Sequence, residues 1–289
     1  MLDVAGIHRF SHEAMATVYE VYAVHADARY AAQGAQACFD LVDRLERELS
    51  RFLPNSDVTR INHLGAGHST RVAASTLECL AIARHMFEVT GGAFDVSLGT
   101  GLASLELDVD QSIVAATMEH VRIDLGGIGK GYAVDVMGDA LEEWDLPCSL
   151  VHGGFSSVLA LDAPAERGGW PLTLSDPADP SRVLERLSAR QTALGASGVR
   201  KRDHIVDPRS GVPVRVRHAA WVTLPRLPGA GEEAAGLRPR PAAVADALTT
   251  ACMMLDRADI DALCARNAGL EAWILEGDEL VHFGDRNHG

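Results

Sequence analysis

Four stretches of this chain carry residue types that packing alone does not demand. The first is IDLGGIGKGYAVD, residues 123–135, where four glycines and one lysine stand directly before a helical-looking run. Glycine is costly inside a helix or strand, so such a cluster marks a bend or a close approach. A glycine-rich turn that feeds a helix N-terminus also aims several N–H groups at one point, which suits a phosphate. Neither familiar phosphate signature fits. The triphosphate loop needs Ser or Thr after Gly-Lys, and Gly131 stands there; Asp124 occupies the place of its first glycine. The dinucleotide fingerprint fails because the third glycine comes one residue early.

The second stretch is SGVRKRDHIVDPRSGVPV, residues 197–214. His204 sits among Arg200, Lys201, Arg202 and Asp203. Two readings stand side by side: an ordinary turn, since Asp-Pro and Ser-Gly are turn dipeptides, or a general base beside cations that draw in an anionic substrate. The third is ADALTTACMM, where Asp246 and Thr250 are four apart and share one helical face. A carboxylate and a hydroxyl so placed suit Mg²⁺, which takes one or two protein oxygens and leaves room for water and phosphate. Capping by Asp246 and back-bonding by Thr250 explain the same spacing, and on spacing alone that reading is the stronger. The fourth is SLVHGGFSSVLAL, in which Gly153-Gly154 is either a bulge or a flat place for a ring or ribose to lie against backbone.

The elements that must position these residues are legible in outline. Thr17–Val24 alternates as a half-buried strand. Residues 28–51 place Ala31, Ala35, Cys38, Leu41, Val42, Leu45 and Leu49 on one helical stripe. Ser56 or Asp57 is set to cap a short helix through Asn62. Helices are expected over 77–89, stopped by Gly91-Gly92, and over 131–144, 245–255 and 260–267. Residues 149–151 and 157–161 read as strands flanking a tight turn, and 271–281 as a terminal hairpin. Residues 164–180 read as loop. Val222 and Leu224 lie in a strand before PRLPGAGEEAAGLRPRPAA, a solvated surface loop. Strands and helices interleave without strict alternation, so the expected class is α+β, with mixed or antiparallel sheets and packed helices in one large domain or two intimate lobes. That domain is placed at 10–285, with 1–9 and 286–289 as tails.

Whole-chain properties narrow the partners. The 289 residues are 47% hydrophobic, enough for a sizeable core. A net charge of −14 with no basic stripe argues against nucleic acid. No stretch has the roughly 20 apolar residues of a membrane span. The first fifteen residues lack a basic start and an apolar core, so the expected compartment is the cytoplasm, or the periplasm if an export signal has been trimmed. The five scattered cysteines show no Cys-x-x-Cys spacing and read as reduced.

Taken together, these segments resemble the ApbE family of FAD:protein FMN transferases. The resemblance rests on Ala14-Met15-Ala16-Thr17, LSRFLPNSDVTRIN, GGAFDVSLG, IDLGGIGKGYAVD, LVHGGFSSVLAL, SGVRKRDHIVDPRSGVP and ADALTTA, in the family's order from residue 14 to beyond 250. It implies a Mg²⁺-dependent enzyme with FAD as substrate, which moves FMN onto a Thr or Ser hydroxyl of an acceptor protein and releases AMP. By position, Met15 and Phe52 match contacts to the isoalloxazine ring. Lys130 with Gly126 and Gly127 matches the phosphate wall. Asp95, Gly153, Gly154 and Ser197 fall in matching boxes on the cofactor side. Asp246, Thr250 and the carbonyl of Gly127 match the metal ligands, and His204 matches the catalytic base. The chain departs from the family in the short segment 199–203, in Gly-Gly-Phe-Ser-Ser where Gly-Gly-Asp or Gly-Gly-Glu is usual, and in a short 99–124 region. These departures touch the adenine side and the acceptor-docking surface, and leave the metal-and-base core intact. Two other functions use the same residues: a Mg²⁺-dependent FAD pyrophosphatase giving FMN and AMP, and a non-catalytic flavin-binding protein.

Overall fold

Alternation near the N-terminus builds the first edge of the main sheet. Ile7–Ala14 (β1) and Thr17–Val24 (β2) pair antiparallel, with Ala14 opposite Thr17. The two residues of their turn, Met15 and Ala16, have φ of 50° and 57°. A type I′ turn demands that left-handed backbone but normally takes Asn and Gly there, so the turn is strained, as functional positions often are. The structure, a computed structural model, describes residues 6–198, 206–209, 211–213, 217–226 and 240–285.

Ala28–Leu49 (α1) begins where Asp27 accepts from the amides of Arg29 and Tyr30, and its stripe of Ala31, Ala35, Cys38, Val42, Leu45 and Leu49 is buried. Ser56 is the cap of Asp57–Ile61 (α2), accepting from the amide of Thr59. His68–Arg71 (β3) precedes Ala74–Val89 (α3), which starts three residues before the apolar pattern at Leu77 becomes visible. Leu105–Asp108 (β4) and Ile113–Ala116 (β5) join β3 in a small antiparallel sheet, order β3-β5-β4.

A short 3-10 turn, Leu125–Gly127, feeds Gly129–Glu143 (α4). Ser149–Gly153 (β6) and Ser157–Ala160 (β7) form the expected hairpin. Trp170–Ser175 (β8) and Val183–Ala189 (β9) form another, so residues 164–180 are not all loop. A lone tryptophan among prolines and glycines gave no periodicity to read, yet Trp170 is fully buried and its indole N–H donates to the carbonyl of Asp162 at 2.9 Å. Thr192–Gly198 (β10), Val206–Asp207 (β11), Val212–Pro213 (β12) and Arg217–Pro225 (β13) follow. Pro241–Cys252 (α5), Arg257–Arg266 (α6), Glu271–Glu276 (β14) and Glu279–Phe283 (β15) complete the chain. Helix α5 begins at Pro241, the favoured first helical position for proline. The last residues of the expected surface loop are therefore helical, while 227–239 lie outside the described residues.

The large sheet has the order β1-β2-β6-β7-β10-β13-β14-β15, with every neighbouring pair antiparallel. Period-two alternation sorts its side chains. Tyr19, Val21, Val151, Leu159, Ala193, Ala220, Val222 and Ile274 join the core with the helices. Leu150, Val158, Leu194, Trp221, Trp273 and Leu275 join a second core with Trp170 and Leu174 of the β8–β9 hairpin. The class is α+β, as expected. Among the described residues no helix is long and apolar enough to cross a membrane. All five cysteines are free, four of them buried.

Two buried polar links fix α5 against α4. Asp135 accepts from the amides of Ala242 and Ala243 at 3.0 and 2.9 Å, so a side chain of α4 satisfies the open end of α5. Burial pushes its carboxyl up to about 8, against those amides and Arg240. Arg240 bonds Glu78 of α3 at 2.8 Å and Asp139 of α4 at 2.6 Å. Asp135→Ala should strand two buried amides and lower stability by about 3 kcal/mol. The urea midpoint should fall with its slope unchanged, and Asp135→Asn, which keeps one acceptor, should lose less. An alanine variant as stable as wild type would show that the cap contributes nothing.

Candidate active site

The glycine turn, the second turn of α5, the C-terminal end of β10 and the segment 93–98 surround one cavity of about 460 Å³. Asp246 stands at its floor, buried, with its carboxylate accepting from the amide of Gly131 at 2.8 Å and from the Ser157 hydroxyl at 2.8 Å to each oxygen. Burial pushes this carboxyl up to about 6, and Lys130, Ser157 and the Gly131 amide pull it down. Lys130 reaches back to the carbonyl of Gly126 at 3.2 Å. The N-terminal end of α4 adds its partial positive charge to the same wall.

Thr250 lies one turn beyond Asp246, its hydroxyl 3.3 Å from the carbonyl of Asp246. It is also close to Gly127, where an added Cβ would sit 3.7 Å from the Thr250 Oγ1. Ser197 bonds the hydroxyls of Thr249 and Thr250 at 3.0 and 3.4 Å. The structure therefore brings Asp246, Thr250, Gly127, Lys130, Gly126 and Ser197 to one cavity. Among the described residues there is no group of three or more His, Cys, Asp or Glu that would hold a metal. The oxygens gathered around Asp246 are its own carboxylate, the nearby hydroxyls and backbone carbonyls, a hard set of the kind Mg²⁺ takes. A buried carboxylate with no salt-bridge partner among the described residues is a place where a cation is favoured.

Two neighbouring cavities extend this one. Toward β1–β2, a space of about 250 Å³ is lined by Met15 and Phe52 and shares Asp124, Gly126 and Lys130 with the central cavity. Met15 is half-buried, with the Tyr19 hydroxyl donating to its sulfur at 3.1 Å. Phe52 is 79% exposed, with the Arg51 guanidinium 4.6 Å from its ring centre. On the other side, a space of about 510 Å³ lies under Trp221 and Phe155 and shares Ser156, Ala196, Ser197 and Gly198 with the central cavity.

Gly153 and Gly154 are not among the residues lining these cavities; a Cβ on Gly153 would meet the Tyr19 ring at 2.8 Å, and one on Gly154 the Thr17 hydroxyl at 2.3 Å. Their small size serves the β2–β6 contact, and the next residues, Phe155 and Ser156, face the space instead. Asp95 lines the central cavity, but its oxygens are occupied by the amide and hydroxyl of Ser97 and the amide of Gly99, at 2.8, 2.7 and 2.8 Å. It shapes the 95–99 turn. His204 lies outside the described residues, although Gly198 and Pro208, which flank its segment, both line the cavity.

The sequence also hid participants. Ser157 is one serine in a strand, and nothing local marks it as the partner of Asp246. Asp124 accepts from the amide of Gly126 at 2.9 Å and pairs with Arg51 at 3.1 Å, and it borders both the central and the Met15 cavities. An Asp two residues before a glycine turn was the available signal.

Comparison with known proteins follows the same lines. The sequence model of the ApbE family matches residues 15–104 and 100–274. A protein of Klebsiella pneumoniae named FAD:protein FMN transferase is 25% identical over 218 residues, 62% of this chain and 66% of that protein. One of the same name from Vibrio cholerae is 22% identical over 244 residues, 70% of this chain and 72% of that one. The chain thus spans about two thirds of the length of these curated relatives. The solved flavin transferase ApbE from Vibrio cholerae superposes with a TM-score of 0.78 at 19% identity, covering 97% of this chain and 98% of that one. The ApbE protein from Thermotoga maritima gives 0.80 at 21%, covering 96% and 97%. At such identities the superpositions show a shared fold.

Proposed function

This chain belongs to the ApbE family, and on that premise we propose that it transfers the FMN half of FAD to a Thr or Ser hydroxyl of a target protein, releasing AMP. The observation that carries the reading is Asp246: a buried carboxylate held by Ser157 and the Gly131 amide, beside Lys130, midway along three connected cavities. FAD is a long molecule with a doubly anionic centre, and this arrangement matches its polarity. The isoalloxazine lies toward Met15 and Phe52, a thioether and an aromatic face. The pyrophosphate lies beside Gly126–Lys130, and the adenosine toward Trp221 and Phe155.

Asp246, Thr250 and the carbonyl of Gly127 would hold Mg²⁺, whose chemistry there is to spread the charge that develops on the phosphate oxygens. The chain's own groups do the rest. Lys130 and the α4 N-terminus orient the pyrophosphate. His204 accepts the proton of the incoming hydroxyl as its oxygen bonds to the FMN phosphorus and the bond to AMP breaks. The flanks of the His204 segment, Gly198 and Pro208, support that placement. Lys130→Ala should weaken FAD binding about tenfold, read by flavin fluorescence during titration. Unchanged affinity would put the pyrophosphate elsewhere.

A further inference from the structure

A fourth cavity of about 370 Å³ meets the site from outside, lined among others by Phe52, His63, Leu98 and Arg122. It shares Val96, Leu98 and Asp124 with the central cavity, and Arg51, Phe52 and Asp124 with the Met15 cavity. It shares no lining residue with the Trp221 cavity.

Its floor, residues 122–124, is clamped by three partners. Thr100 bonds the amide and carbonyl of Arg122 at 2.9 and 3.0 Å, Asn62 those of Ile123 at 2.7 and 2.9 Å, and the Asp124 amide donates to the carbonyl of Val96 at 2.8 Å. On this frame Leu98 is displayed 61% exposed at φ 50°, within the turn that Asp95 ties down. A bulky apolar side chain held outward in left-handed backbone is costly unless it has a contact to make. Beside it the exposed Arg122 guanidinium donates to the carbonyl of Val121 and forms no ion pair among the described residues. In a chain of net charge −14, this rim carries two arginines and one aspartate.

We propose that this groove seats the acceptor: an extended segment of the target protein that lays an apolar residue against Leu98 and Phe52 and an acidic residue against Arg122, and delivers its hydroxyl past Asp124. The proposal rests on the transfer reading. Displacement at phosphorus is in line, so the entering oxygen lies opposite the departing AMP. With the adenosine toward Trp221, entry comes from the far wall, where this groove opens. Gly99, next to Leu98, lies against the carbonyl of Pro208, with an added Cβ 3.2 Å away, so the groove also borders the segment that carries His204.

The test uses two synthetic peptides, each with one central threonine and neighbouring leucine, flanked in one by aspartates and in the other by lysines. FMN-labelled peptide is counted by mass spectrometry in the presence of FAD and Mg²⁺. The wild type should label the acidic peptide about tenfold faster, and Arg122→Glu should reverse the preference while FAD affinity stays unchanged. Equal labelling, a preference that survives Arg122→Glu, or labelling of neither peptide by an enzyme that still flavinylates proteins of a cell extract would overturn the groove. An enzyme that labels neither the peptides nor any protein in the extract would overturn the transfer reading itself.

Discussion

Asp246→Asn should lower flavin transfer by on the order of 10²–10³-fold and leave the fold intact. The amide is nearly isosteric with the carboxylate. Its oxygen still accepts from the Gly131 amide, and its nitrogen can donate to Ser157, so the contacts that join α5 to α4 and β7 persist. The charge does not persist, and with it goes the carboxylate proposed to hold Mg²⁺. The sign of the stability effect separates this outcome from simple unfolding. Burial raises the folded-state carboxyl to about 6, above its unfolded value, so its contribution to stability is lost as the pH rises through 6. At pH 8 the asparagine variant should be at least as stable as wild type by urea unfolding, while its rate at saturating FAD collapses. A variant within tenfold of the wild-type rate would remove Asp246 from the reaction centre.

Gly131→Ala should be the most damaging single methyl in the site. An added Cβ would lie 2.1 Å from the carbonyl oxygen of Ala242, 2.5 Å from its carbon and 2.8 Å from the amide of Ala243. All three are backbone atoms, so no rotamer relieves the clash, and α4 and α5 must separate. The expected loss is about 3 kcal/mol or more. Any protein that still folds should transfer poorly, because the Gly131 amide also holds Asp246. Gly129 supplies the control. Nothing lies within 4 Å of a Cβ there, so Gly129→Ala should stay within about 0.5 kcal/mol of wild type. Equal urea midpoints for the two variants would contradict the close crossing of α4 and α5.

That pair of glycines shows what was legible in the sequence and what was not. IDLGGIGKGYAVD announced a special turn, and the structure sets that turn at the cavity wall beside Asp246. Which glycine makes room for a ligand and which for another helix depends on a contact 111 positions away, from Gly131 to Ala242, and no local pattern encodes it. Long amphipathic helices and caps such as Asp27 and Ser56 were readable because their physics is local. Strand β10, TALGASG, was not readable, since alanine and glycine carry little strand preference. Its smallness serves the helix above it: a Cβ on Gly195 would meet the backbone of Ala245 at 2.6 Å. Gly153 and Gly154 read in one dimension as either a bulge or a ligand surface, and in three they pack against Tyr19 and Thr17. The helical spacing of Asp246 and Thr250 was legible but read as well as capping, and the family resemblance singled them out, whereas Ser157, from another strand, became visible only in the folded chain.

The central claim is that FMN ends on protein. Purified enzyme incubated with FAD, Mg²⁺ and an extract of the host's proteins should release AMP and build up an equal amount of flavin bound covalently to protein, located by mass spectrometry as an FMN-sized adduct on a threonine or serine. AMP released together with free FMN, with no adduct on any protein, would contradict the claim and make the same site a pyrophosphatase.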